Sequence, residues 1–214
     1  MTTYFVPTGE NEAELVEKRS RFIGHVFPVT CEAQARACIE SVRKKHYDAR
    51  HHCWCFRLRE GGVERCSDDG EPQGTAGQPM LNVFQREGVQ NVCCVVTRYF
   101  GGILLGAGGL VRAYTQAAKG ALDGAGISVV RRWVEAAVPC PYSFLERVKL
   151  EVEAQGGVLG EVEYAADVTV HALLPEDKVE DFTHRMTELT SGGTEVLVLG
   201  ECCRAAPRRE ENGT

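Results

Sequence analysis

Residues 134–199 read VEAAV (134–138), YSFLERVKLEVEAQ (142–155), VLGEVEY (158–164), VTVHALL (168–174), PEDKVEDFTHRMTELT (175–190) and TEVLVL (194–199). The first, third, fourth and sixth pieces are short and rich in β-branched residues, as strands are. The second places Leu145, Val148 and Val152 at helical spacing and stops at Gly156-Gly157. The fifth opens on Pro175 and ends at Ser191-Gly192-Gly193, as a helix does. The order β-α-β-β-α-β is the split βαβ of a ferredoxin-like sandwich.

Outward from this block, the sequence predicts a boundary near Arg131–Val134, with one domain over residues 1–130 and a second over 131–200. The charged tail 201–214 is expected to fray. In the first domain, Glu14–Lys18 and Phe22–Val29 read as strands. A helix capped by Thr30 runs to about Lys45, with Ala33, Ala37, Ile39 and Val42 as its apolar stripe. His52–Leu58 alternates as a strand and Val63–Cys66 pairs with it. Thr75 and Gln78 fit a capping box for a helix over 76–86. Asn91–Thr97 is a buried strand, and Leu110–Leu122 an alanine-rich helix. The fold class is therefore α+β in two domains.

The chain has 214 residues, 24 Lys+Arg, 30 Asp+Glu and a net charge of −6. No run of about 18 uncharged apolar residues suggests a membrane span. The start is acidic rather than basic and then apolar, so a cytoplasmic protein is expected. Ten cysteines are too few for a disulfide scaffold and read as reduced thiols. Charge is divided unevenly: residues 1–130 are close to neutral, whereas residues 131–214 carry 9 Lys+Arg against 16 Asp+Glu. The acidic balance thus does not exclude nucleic acid as a partner of the first domain. Residues 36–65 hold eight Arg or Lys against four acids, a candidate basic surface that includes Arg50 and His51.

Two loops have the composition of sites. The first is Val95-Val-Thr-Arg98-Tyr99-Phe-Gly101-Gly102-Ile-Leu-Leu-Gly106-Ala-Gly108-Gly109-Leu-Val-Arg112, a strand entering a glycine loop and then a helix. Glycines let backbone approach a ligand, and a helix start offers free N–H groups to an anion. Arg98 and Arg112 would clamp phosphate and Tyr99 or Phe100 would stack on a base. It is neither a Walker loop nor a dinucleotide fingerprint. A glycine hinge packing helix on sheet accounts for it equally. The second loop, Ser67–Pro79, carries Asp68, Asp69 and Glu71, which would hold Mg²⁺ or act as acid and base. Otherwise they sit near a helix N-terminus that favours them. His51-His52-Cys53-Trp54-Cys55 lacks the second Cys pair of a zinc site, and no resident metal or cofactor is expected.

Four blocks in order resemble the IMPACT family, in its bacterial YigZ-like branch. They are Lys18-Arg-Ser20-Arg-Phe22-Ile-Gly; Ala49-Arg-His51-His-Cys53; Asp69-Gly-Glu-Pro72 with Gly74-Thr-Ala-Gly77 and Pro79; and Val96-Thr-Arg98-Tyr-Phe-Gly-Gly102 with Gly106, Gly108-Gly-Leu-Val-Arg112-Ala-Tyr114. The resemblance implies an N-terminal α/β sandwich akin to domain IV of elongation factor G and to a ribosomal-protein domain. It implies a second domain akin to domain V of that factor. Eukaryotic relatives are linked to translational control, through binding the activator of a stress-responsive initiation-factor kinase. Bacterial members have no settled activity.

Three functions fit. The favoured one is a non-enzymatic protein facing RNA or the ribosome, with Arg98, Tyr99, Arg112, Arg50, His51 and the backbone of Gly101, Gly102, Gly106, Gly108 and Gly109 in contact. The second is an adaptor that meets a protein partner through the acidic second domain. The third is a phosphoryl-transfer or hydrolase enzyme using the glycine loop and Asp68, Asp69 and Glu71.

Overall fold

The structure is a computed structural model and describes residues 3–207. The chain folds as two compact units, one built on residues 4–129 and the other on residues 130–204. The first unit contains β1 (Tyr4–Pro7), β2 (Asn11–Glu17), β3 (Ser20–Pro28), α1 (Glu32–Lys45), β4 (His51–Arg57), β5 (Glu64–Ser67), α2 (Gly77–Arg86), β6 (Val92–Tyr99) and α3 (Gly106–Ala125). Its five-stranded sheet has the order β2-β3-β6-β4-β5, and neighbouring strands are antiparallel throughout.

Alternation along the strands divides the core in two. Phe22, Val26, Cys53, Cys55, Cys94 and Val96 face α2 and α3. Val29, Phe56, Leu58, Cys93 and Val95 face α1. The sheet is thus covered on both faces, which explains why β6 reads as a continuous apolar run. Several cysteines serve as small core residues; all ten are free thiols, and burial pushes the Cys53 thiol well above its ordinary value.

The second unit holds most of β7 (Ile127–Cys140), then α4 (Leu145–Ala154), β8 (Val158–Tyr164), β9 (Val168–Pro175), α5 (Val179–Thr190) and β10 (Leu197–Pro207). In the second sheet β10, β7, β9 and β8 lie side by side, and β1 also pairs with β7. In units of its own four strands this order is 4-1-3-2, the arrangement of a ferredoxin-like sandwich. Val138, Val170, Val148, Val152, Phe182 and Met186 fill its core. Among the described residues no helix is long and apolar enough to cross a membrane.

Several sequence expectations shift. β7 starts at Ile127 and runs on through the boundary expected near Arg131–Val134, while the two compact units divide between residues 129 and 130. The strand expected over 194–199 runs instead over Leu197–Pro207, so residues 201–207 are strand rather than frayed tail; residues 208–214 lie outside the described residues. Thr30 does not cap α1. Its amide and hydroxyl both donate to the Gln34 side-chain oxygen, and the cap position is Cys31. The Thr75–Gln78 capping box is not formed either, because Asp68 takes its place.

Candidate functional site

Register brings the two loops to one end of the first sheet. Phe22 and His51 both pair with Arg98, and Arg21 pairs with Tyr99. The start of β3, the end of β6 and the start of β4 therefore coincide. The β2–β3 turn, the loop 100–105, the β5–α2 loop and the Arg50–His51 pair all emerge there.

Arg98 does not project from that end. Its guanidinium donates to Glu71 at 2.7 Å, with both side chains almost fully buried. The Tyr114 hydroxyl donates to the same carboxylate oxygen at 2.8 Å. Arg98 also lies over Phe22 at 5.4 Å and Phe100 at 5.5 Å. The expectation that Arg98 clamps phosphate is thereby corrected: its charge is spent on fastening the β5–α2 loop to β6 and α3.

The three acids are not brought together. Asp68 accepts backbone hydrogen bonds from Gly74 at 2.8 Å, Ala76 at 3.0 Å and Gly77 at 2.8 Å, so it caps α2. Burial pushes its carboxyl up, but these three amides outweigh that and hold it below the usual carboxylate range. Asp69 accepts from Arg43 at 3.0 Å and from the His52 amide at 2.7 Å. Glu71 faces Arg98. Among the described residues no group of three or more His, Cys, Asp or Glu is placed to hold a metal ion. The Mg²⁺ cluster is corrected accordingly. Asp68→Ala should lower stability by about 1–2 kcal/mol. Because the folded pKa is depressed, the contribution of Asp68 is present above the unfolded value near 3.8 and fades as pH falls through the folded one. Urea titrations of both proteins from neutral pH downward check this; a gap that fails to narrow in acid would refute the capping role.

Tyr99 turns to the α1 face. Its hydroxyl donates to Asp48 at 2.9 Å and lies 3.1 Å from His46 Nδ1, and Arg21 covers the ring at 5.6 Å. In the loop that follows β6, Phe100 is 52% accessible, and Ile103 and Leu104 are exposed with it.

The glycines divide by cause. A Cβ on Gly101 would lie 2.0 Å from the Arg19 carbonyl carbon, so this glycine lets the loop pack against the β2–β3 turn rather than against a ligand. Gly102 and Gly106 have φ of +82° and +71°. Gly106, Gly108 and Gly109 belong to the first turn of α3, not to a loop. That turn has no side-chain cap, and Gly106 and Gly108 are exposed on it. The exposed Arg112 folds back towards it: its Nη1 lies 3.9 Å from where a Gly108 Cβ would stand. Arg50 is exposed, while His51 Nδ1 lies 2.9 Å from the Asp69 carbonyl.

Lys18 and Arg19, which the sequence reading did not count among the candidate residues, stand at the same sheet end. Both are exposed and form the two-residue β2–β3 turn, between paired Glu17 and Ser20. Their φ values are +45° and +66°, a conformation that a hairpin turn normally gives to Asn-Gly. The signal was two long cations where turn-forming residues belong. Replacing them by Lys18→Asn with Arg19→Gly should raise stability by about 1–2 kcal/mol, since left-handed strain at ordinary residues costs that order. Thermal melts check it, and an unchanged or lower melting temperature would show the turn to be unstrained.

The Impact N-terminal domain matches residues 18–122, and a domain of unknown function, DUF1949, matches residues 138–192. The IMPACT family member YvyE of Bacillus subtilis is 35% identical over 195 residues, covering 91% of this chain and 90% of that protein.

The chain belongs to the IMPACT family.

Another IMPACT family member, YigZ of Escherichia coli, is 34% identical over 94% of this chain and its own whole length. Protein IMPACT of Mus musculus is 33% identical over 107 residues, 47% of this chain and 33% of that protein. A crystal structure of a hypothetical protein superposes with a TM-score of 0.59 at 33% identity, covering 94% of this chain and 98% of its own. The IMPACT blocks noted in the sequence are the segments that meet at this sheet end.

Proposed function

We propose that this protein is a non-enzymatic, RNA- or ribosome-associated regulator of translation, and that the end of the first sheet grips the RNA backbone. One observation carries the reading. Lys18, Arg19, Arg50 and Arg112 are exposed there with no ion-pair partner among the described residues, around the uncapped start of α3. Surface cations are commonly paired with neighbouring acids, as Arg21 is with Glu14 and Arg36 with Glu32 here. Cations left single beside free amides suit a polyanion. Exposed Phe100 supplies a face for an unpaired base.

Co-sedimentation with ribosomes across a salt series tests the reading. Retention should fall steeply with salt, and Arg112→Ala should make the slope shallower by about one. No retention at low salt would remove it. Retention that is indifferent to salt and to Arg112 would also overturn it, in favour of an adaptor acting through the acidic second unit.

A further inference from the structure

On the α1 face of the first sheet, α1 packs on β6, β4 and β3, and Lys45 at its end reaches Glu12 of the edge strand β2. A cleft of about 430 Å³ opens there, lined by Glu10, Glu12, His25, Phe27, Val42 and Lys45. Its volume is in the range of small-molecule sites. His25 is 5% exposed, yet neither ring nitrogen makes a hydrogen bond. The Glu12 carboxylate, directly across the β2–β3 ladder, comes within 2.9 Å of Nε2 but out of line with it. A buried imidazole left unsatisfied costs roughly 1–3 kcal/mol and calls for an explanation.

The surroundings specify what would satisfy it. Burial pushes the His25 pKa down against the opposing pull of Glu12, so the ring is neutral at pH 7 and offers a lone pair. A hydrogen bond from Lys45 holds the Glu12 carboxyl below its usual range, so it is ionised. With His25 neutral, Glu10, Glu12 and Lys45 leave the cleft one negative charge in excess. The His25 and Phe27 rings lie parallel in an offset stack, 5° apart in orientation with centroids at 6.2 Å.

We propose that this cleft binds a guanidinium group, forked on the Glu12 carboxylate, flat against Phe27 and donating its third edge to His25. A planar cation brings the lining to neutrality, matches a carboxylate bidentately and stacks on aromatic faces. An ammonium can do only the first. Lys45 is the internal competitor that now occupies Glu12.

The test follows the His25 ring nitrogens by NMR during titration with N-butylguanidine, a single-charge probe. Saturable shifts are expected. Glu12→Gln should weaken binding at least tenfold, while the exposed control Glu14→Gln leaves it unchanged. Lys45→Met should tighten it severalfold by removing the competitor, a gain that damage to the fold would not produce. Butylamine, of equal charge and chain length, should bind at least tenfold more weakly. No shift of His25 up to about 20 mM N-butylguanidine overturns the proposal. So does butylamine or uncharged guanosine binding as tightly as N-butylguanidine, or binding insensitive to Glu12→Gln.

Discussion

Arg98→Ala should lower the stability of the first unit by about 3–5 kcal/mol, the range for removing one partner of a buried ion pair. The cost comes from what stays behind. Glu71, 8% exposed, would be left without its cation under the sheet end, with only the Tyr114 hydroxyl donating to its side chain among the described residues. The cation would also vanish from between the Phe22 and Phe100 rings. Tyr114→Phe, which leaves the ion pair whole, should cost only about 1 kcal/mol. Arg98→Met combined with Glu71→Leu should recover most of the loss, because apolar replacement of both partners is often neutral or better. Denaturant unfolding of the three variants beside the wild type decides the matter. A loss under about 1 kcal/mol for Arg98→Ala would mean that water reaches the pair.

The second large effect is on binding. Replacing Lys18, Arg19 and Arg112 together by alanine should flatten the salt dependence of RNA binding by about three units of log–log slope. Affinity at about 0.1 M salt should fall by about a hundredfold or more, since each released counterion is worth nearly a decade under these conditions. Stability should hardly change, because none of the three has an ion-pair partner among the described residues. The contrast with Arg98 is the informative part. Arg98→Ala that is still folded should keep the wild-type slope, and the triple variant should lose it while melting normally. An unchanged slope in the triple variant would place any RNA contact elsewhere.

Arg98 also shows where sequence stops being legible. The strand, glycine loop and helix around it were readable, because buried β-branched runs and glycine stops are local signals. Whether its charge points outward depends on a partner 27 residues away, and nothing within the motif reveals that Glu71 folds back beneath it. Asp68 is a similar case. A Ser/Thr cap three residues before a Gln is a local pattern, so Thr75 attracted the reading. The actual cap reaches from residue 68 to the amides of 76 and 77 across a turn. In the second unit the helix and strand order was plain from periodicity. The length of β7 was not, because Gly126 and the Arg131-Arg132 pair imitate a linker while Ile127–Val130 continues the strand. Among binding candidates, Arg112 and Arg50 were found as exposed cations. Lys18 and Arg19 were overlooked because a turn was read as mere connection.

Gly101 has a further meaning for recognition. With its missing side chain it rests directly on the backbone of Arg19, and its amide donates to Ser20 Oγ at 3.2 Å. The cationic turn and the segment bearing Phe100 are thus mechanically one body. On the proposed reading, an RNA strand that met the turn would find the Phe100 segment already fixed beside it, so the entropy of ordering the two would be lost once rather than twice. Preorganisation of this kind would lengthen residence on a bound strand rather than speed the encounter.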